Sequence, residues 1–215
     1  MNKVIEFKVS DPWDYKAPLD RAQILELPSR RFASISGEGD PNGADFTAAM
    51  TALYGFSYAV RMSYRSPNPP AGCGAYVVGV LQGRWDLRPG ATVFDIHHKD
   101  NLAWTVMIRQ PEFLNSELFT QFLDQSRAKA AKKDQTSLEW FDRLQFESRE
   151  GGSFGQIMHI GPYDDEPASF ARLEADLTKQ GRSRLGKYHW EVYLGDPRKT
   201  APEKLKTILR VSLVP

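Results

Sequence analysis

Apolar positions along the chain switch between two spacings. Phe46, Met50, Leu53, Ser57, Val60 and Tyr64 recur at steps of three and four, which predicts an amphipathic helix. GEGDPNG (Gly37–Gly43) precedes it as a turn-forming loop, and Asp45 is placed to cap it. SPNPPAGCG (Ser66–Gly74) ends it, because proline lacks an amide donor and fixes φ. Short apolar runs lie on either side and read as strands: Ile24–Leu27 and Phe32–Ser36 before, Ala75–Leu81 and Trp104–Arg109 after. Residues before about 22 read as a lead-in.

The second half has a similar rhythm. Asn115 is placed to cap a helix reaching about Ala131, with Leu118 and Phe122 inside it and Lys132-Lys133 near its end. A shorter helix is expected over Ser137–Leu144. Phe146–Arg149 and Ser153–Ile160 read as a hairpin around Glu150-Gly151-Gly152. GPYDDEP (Gly161–Pro167) leads into a helix with Pro167 in its first turn and Phe170, Leu173 and Leu177 on one side. A strand follows in YHWEVYLGD (Tyr188–Asp196), and Lys206–Leu213 closes the chain.

This order contains a repeat. FASISGEG, a helix and AYVVGVLQG match FGQIMHIG, a helix and KYHWEVYLG, and each unit continues to a further strand. Aligned on Gly83 and Gly195, Tyr76 falls on Tyr188 and Gly79 falls on Glu191. The expected fold is α+β. Two strand-helix-strand-strand modules related by a pseudo-twofold form one antiparallel sheet, with helices on one face and a ligand groove on the other. Module one covers about 22–110, connecting helices about 115–145, and module two about 146–213, within a single domain over 1–215.

Alternation along YHWEVYLGD puts His189, Glu191 and Tyr193 on one face of the strand. Tyr188, Trp190, Val192 and Leu194 take the other, which is the better candidate for the helix-packed side. Charged side chains are rarely buried without a partner, so Glu191 is either solvated or aimed at a site. Gly79, at the matching repeat position, would leave room beside it. Tyr54, Phe56, Tyr58, Trp85, Trp104 and Trp140 supply aromatic surface. Singly each reads as core; together they would suit a planar or cationic ligand.

Composition narrows the classes. The 215 residues carry a net charge of +1, which gives no electrostatic reason to expect a nucleic-acid or anionic-membrane partner. Lys132-Lys133 and Arg182/Arg184 read as solvated surface. The single cysteine, Cys73, excludes an intrachain disulfide and reads as an incidental loop thiol. The first residues lack an apolar signal-peptide core and no stretch would span a membrane, so a cytoplasmic location is expected. Asp164-Asp165-Glu166 with His159 could suggest a metal, but acids before Pro167 suit a helix start. Adjacent His97-His98 do not point together, so no metal or other cofactor is expected. GEGDPNG lacks GxxxxGK[ST], and no G-x-S-x-G occurs.

With GEGDPNG, ALYGFSYAVR, WTVMIRQPEF, FESREGG, QIMHIGPYDDEP and HWEVYLGDPRKTAPEKLKTILR in this order, the chain resembles the GyrI-like small-molecule-binding proteins over about residues 15 to 211. These are related to the effector-binding domains of the BmrR and Rob regulators. The resemblance is to the stand-alone form, and it implies two fused modules around a central groove. It also implies that Glu191 meets the ligand, as a glutamate at this motif meets lipophilic cationic drugs in the regulators. Some stand-alone members hydrolyse cyclopropane-bearing DNA alkylators of the duocarmycin and yatakemycin type. The carry-over is again Glu191, with aromatic partners at the groove. The mechanism expected has Glu191 as general base on a water and the Tyr193 hydroxyl stabilising charge on the substrate carbonyl, with Tyr54, Phe56, Trp85, Trp104, Trp140, His159 and His189 as ligand-binding candidates. A non-catalytic sequestering module and a module acting on a topoisomerase are the alternatives. One departure stands out: the stand-alone members carry a stretch like LEGLWW, whereas this chain reads LQGRW, with Gln82 at the acidic position.

Overall fold

The computed structural model describes residues 4–91, 98–133 and 135–215; His97 of the paired histidines lies outside them. A one-turn helix α1 (Phe7–Ser10) comes first, followed by strands β1 (Gln23–Leu27) and β2 (Arg30–Glu38) and helix α2 (Ala44–Met62). Strands β3 (Leu81–Leu87) and β4 (Leu102–Arg109) precede helices α3 (Ser116–Ala130) and α4 (Leu138–Asp142). Then come β5 (Gln145–Arg149), β6 (Gly152–Ile160), α5 (Glu166–Lys179), β7 (His189–Tyr193) and β8 (Lys206–Ser212). The eight strands form one sheet in the order β1-β6-β8-β7-β3-β4-β2-β5, every pair antiparallel. The architecture is α+β, as the patterning predicts. Among the described residues no helix is long and apolar enough to cross a membrane.

Local chemistry explains most element ends. The Asn115 side chain accepts from the Leu118 amide at 2.9 Å and starts α3. Asp45 does not cap α2; Gly43 holds that position, and Asp45 sits in the first turn, where a negative charge favours the helix dipole. Tyr64 lies beyond the helix, in a 3-10 turn over Ser63–Arg65. Ala75–Leu81 is not the expected strand. It makes a single bridge, Tyr76 to Ile5, and the ladder begins only at Leu81. There the chain crosses the end of β4 so closely that a Cβ on Gly79 would lie 3.2 Å from the Arg109 carbonyl oxygen.

The sheet register moves the repeat. If FASISGEG overlays FGQIMHIG, Ile35 falls on Ile157. Ile35 pairs with Val106 and Ile157 with Leu209, so those partners match. Val106 pairs with Gly83 and Leu209 with Glu191, so the mate of Glu191 is Gly83, not Gly79. Gly83 and Glu191 also face each other directly across β3 and β7. The pseudo-twofold therefore passes between them.

Strand alternation holds, but the helices take the face opposite to the one expected. α5 packs Leu173 and Leu177 on Ile157, Leu209 and Val211, and a Cβ on Gly155 would strike Leu177. From α2, Phe46 lies against Trp85 and Trp104. The register places all these strand residues on the Glu191 side. Trp190 points the other way and packs with Leu27, Phe32, Met107 and Phe154. Trp190 and Val192 have burial of their own there, so their apolar character does not mark the helix side.

That second face is closed by the N-terminal segment, which is more than a lead-in. The fully buried Arg210 donates to Asp14 Oδ1 at 2.9 Å and to Gln156 Oε1 at 2.7 Å. Gln156 Nε2 donates to the carbonyls of Trp13 and Lys16. Arg30 and Arg109 converge on Asp11 at 2.7 and 2.8 Å. Gln82 also faces this side, accepting from Arg149 Nη1 at 3.1 Å. The departure at Gln82 thus lies on the sheet face opposite to Glu191.

Candidate functional site

β7 sits at the centre of the sheet, between β8 and β3, and its middle residue is Glu191. The residue is 7% exposed. His189, two positions earlier on the same face, places Nε2 at 2.9 Å from Glu191 Oε1. The edge of Phe170, from α5, holds the imidazole with ring centroids 4.6 Å apart. Tyr193, two positions later on the same face, accepts a hydrogen bond from Trp85 Nε1 at 2.9 Å. Burial, and then the charge of Glu191, push its phenol well above the ordinary value, so it remains a proton donor.

A second carboxyl meets the first. Glu166 opens α5, is equally buried, and lies close enough to Glu191 to feel its charge. Burial first, and then the Glu191 carboxylate, raise its pKa well above the usual value. Two carboxyls near one another in a dry site cannot both ionise cheaply, which favours the protonated form of Glu166. Tyr163, just before α5, packs edge-on against Tyr193 at 5.7 Å, its phenol pushed up to about 12 by burial and by Glu191. Among the described residues neither carboxyl is ion-paired to a lysine or arginine; His189 is the partner of Glu191.

Glycine makes room for this cluster. A Cβ on Gly83 would lie 2.7 Å from Trp85 Nε1 and 3.1 Å from Tyr193 Oη, so any larger residue would displace the Trp85–Tyr193 bond. From Trp85 an aromatic run leads away: Phe46 at 6.0 Å, then Trp104 at 5.0 Å, then Trp140 stacked at 5.7 Å. The run ends at a cleft of about 540 Å³, lined by Trp104 and Trp140 with Asp45, Asp86, Arg84 and Arg143. The cleft does not touch Glu191. The space and the carboxyl chemistry are therefore adjacent rather than coincident.

The profile of the GyrI-like small molecule binding domain matches residues 22–213. The chain belongs to the GyrI-like family. Among solved structures it is similar to a hydrolase from Listeria innocua, at 30% identity and TM-score 0.87, covering 99% of this chain and 100% of that one. It is equally similar to an uncharacterized conserved protein from Listeria innocua, at 30% identity and TM-score 0.86, covering 98% and 100%. The EcmrR C-terminal domain shares the fold at 12% identity and TM-score 0.52, covering 90% and 97%. Searching curated proteins by sequence gives no match.

Within this GyrI-like fold the candidate residues separate. Trp85, His189 and Tyr193 gather at Glu191, and Trp104 and Trp140 join through the aromatic run. Tyr54 lies half-buried on α2, beside Tyr58 and near the charges of Asp196 and Arg198. Phe56 is core, fully buried against Phe119. His159, near the end of β6, uses both ring nitrogens, on Ser169 Oγ in α5 and on the Pro162 carbonyl in the intervening loop, each at 3.0 Å. Among the described residues no group of His, Cys, Asp and Glu is arranged to hold a metal. Glu166 is the member that sequence patterning assigns elsewhere, because an acid in the first turn of a helix already has a reason to be there.

Proposed function

We propose that the protein binds hydrophobic, planar or cationic small molecules against Glu191 and opens strained rings by adding water, as on cyclopropane-bearing alkylators. The observation that carries this reading is the burial of Glu166 and Glu191 side by side, Glu166 favouring its protonated form, with neither ion-paired to a lysine or arginine among the described residues. In the proposed reaction Glu191 takes a proton from water as its oxygen bonds to the ring carbon. The ring C–C bond breaks, and its electron pair moves through the conjugated system onto the substrate carbonyl oxygen. That oxygen is stabilised by the Tyr193 hydroxyl and receives the proton of Glu166. The pair begins and ends with one proton, so a transfer between the two carboxyls resets it. The Listeria relative described as a hydrolase is consistent with such chemistry.

Glu191→Gln should abolish turnover of a duocarmycin-type substrate, followed as loss of the intact compound by chromatography, while the melting temperature and ligand binding persist. Unchanged turnover would remove Glu191 from the role of base. A sequestering function is the second reading, favoured by the same missing protein cation, which a lipophilic cation would supply. Recovery of intact ligand after long incubation, with binding lost in Glu191→Gln, would select it.

A further inference from the structure

The positions facing Glu191 on the neighbouring strands do not hold its carboxylate. They are Gly83 on β3 and Leu209 on β8, and neither side chain carries a donor. A base acts on a proton within hydrogen-bond reach, so the direction of its free oxygen decides whether it acts. That direction has to be set from β7 itself or from the helix packed over it.

His189 sets it from β7. Residues two apart on a strand share a face at about 7 Å, a gap that an imidazole and a carboxylate close between them. Here Nε2 lies 2.9 Å from Glu191 Oε1. An ionised carboxylate only accepts, so Nε2 carries the hydrogen and, in the neutral ring, Nδ1 carries none. The bond involves a charged acceptor and is shielded from water, with the two side chains 15% and 9% exposed, and such bonds are among the stronger ones. The imidazole is held in turn from α5, where Phe170 meets it edge-on with centroids 4.6 Å apart. Phe170 follows Glu166 by one helical turn, so the face of α5 that brings the second carboxyl also fixes the ring. His189 therefore makes one packing contact and one hydrogen bond, and the hydrogen bond occupies one of the two oxygens of Glu191.

We propose that His189 is the positioning residue of the site: its Nε2–H binds Oε1 and turns Oε2 toward the water. The proton taken from water goes to Oε2, while the Nε2 hydrogen stays on the imidazole. His189 then acts through Glu191 rather than as a ligand contact. This role rests on the reading of Glu191 as the base.

Two variants separate the packing contact from the hydrogen bond. His189→Phe keeps a ring against Phe170 and removes the donor. His189→Gln keeps a donor at the reach of Nε2 and removes the ring. Turnover of a duocarmycin-type substrate is measured for both, with their melting temperatures and with Glu191→Gln alongside. His189→Phe should lower kcat about tenfold or more with KM within about twofold, and His189→Gln should recover most of kcat despite the lost packing. The reverse order, with the phenylalanine variant active and the glutamine variant impaired, would mean that the imidazole only packs. Equal loss of kcat in both would make the imidazole itself the base. A rise in KM alone would make it a ligand contact. With Glu191→Gln inactive, any of these overturns the positioning role and leaves Glu191 necessary for turnover. Turnover in Glu191→Gln overturns the base reading, and the positioning role falls with it.

Discussion

Replacing Glu166 with glutamine tests the shared proton directly. Glutamine keeps the shape and still offers Glu191 a donor, but it cannot ionise. In the native protein the Glu166 carboxyl holds its proton far above the ordinary value of 4.5, because it is buried beside Glu191. The native state therefore binds this proton more tightly than the unfolded chain does. The stability so gained is complete below pH 4.5 and is lost as pH rises from there to the folded value. Within that window the wild type loses about 1.4 kcal/mol per pH unit relative to Glu166→Gln. For a domain of this size 1 kcal/mol moves the melting temperature by about 2–4 °C, so the two curves should separate by roughly 3–6 °C per pH unit. The assay is thermal unfolding of both proteins from about pH 5 to pH 7, followed by circular dichroism, with the mutant the more stable at neutral pH. Parallel curves would mean that Glu166 ionises normally, and the acid role assigned to it would fall.

Three further expectations follow from the packing. Asp14→Ala strands the fully buried Arg210 and should cost about 3–5 kcal/mol in urea unfolding. Gly83→Ala forces Trp85 and Tyr193 apart, should cost about 1–3 kcal/mol, and should change tryptophan emission as the Trp85 bond breaks. Leu173→Ala, on the buried face of α5, should cost about 2–5 kcal/mol, measured by the same unfolding assay.

Element order was legible because its signals are local. Helical spacing, the Asn115 cap, and the proline and glycine breaks each act within a few residues. Register is not local. Ala75–Leu81 and Leu81–Leu87 are both strand-like in composition, and which one pairs with β7 is decided by the crossing of Gly79 over Arg109. Alternation correctly grouped His189, Glu191 and Tyr193. It could not tell which face the helices take, because Trp190 is buried against Phe32 and Met107 on the other side. The N-terminal segment was equally opaque, since nothing near Asp14 in sequence reveals Arg210, 196 positions away. In the candidate site Glu191 stood out as a charge among aromatics, while Glu166 was hidden by an ordinary reason for acids at a helix start.

The pairing of Gly83 with Glu191 limits what a doubled chain of this kind can become. Positions that face each other across antiparallel strands hold their side chains about 4.5–5.5 Å apart, and like charges there repel. An acid kept in both halves would set two carboxylates against one another on the axis, with Glu166 as a third. The two halves differ at this one place: one contributes a carboxyl, and the other contributes the absence of a side chain.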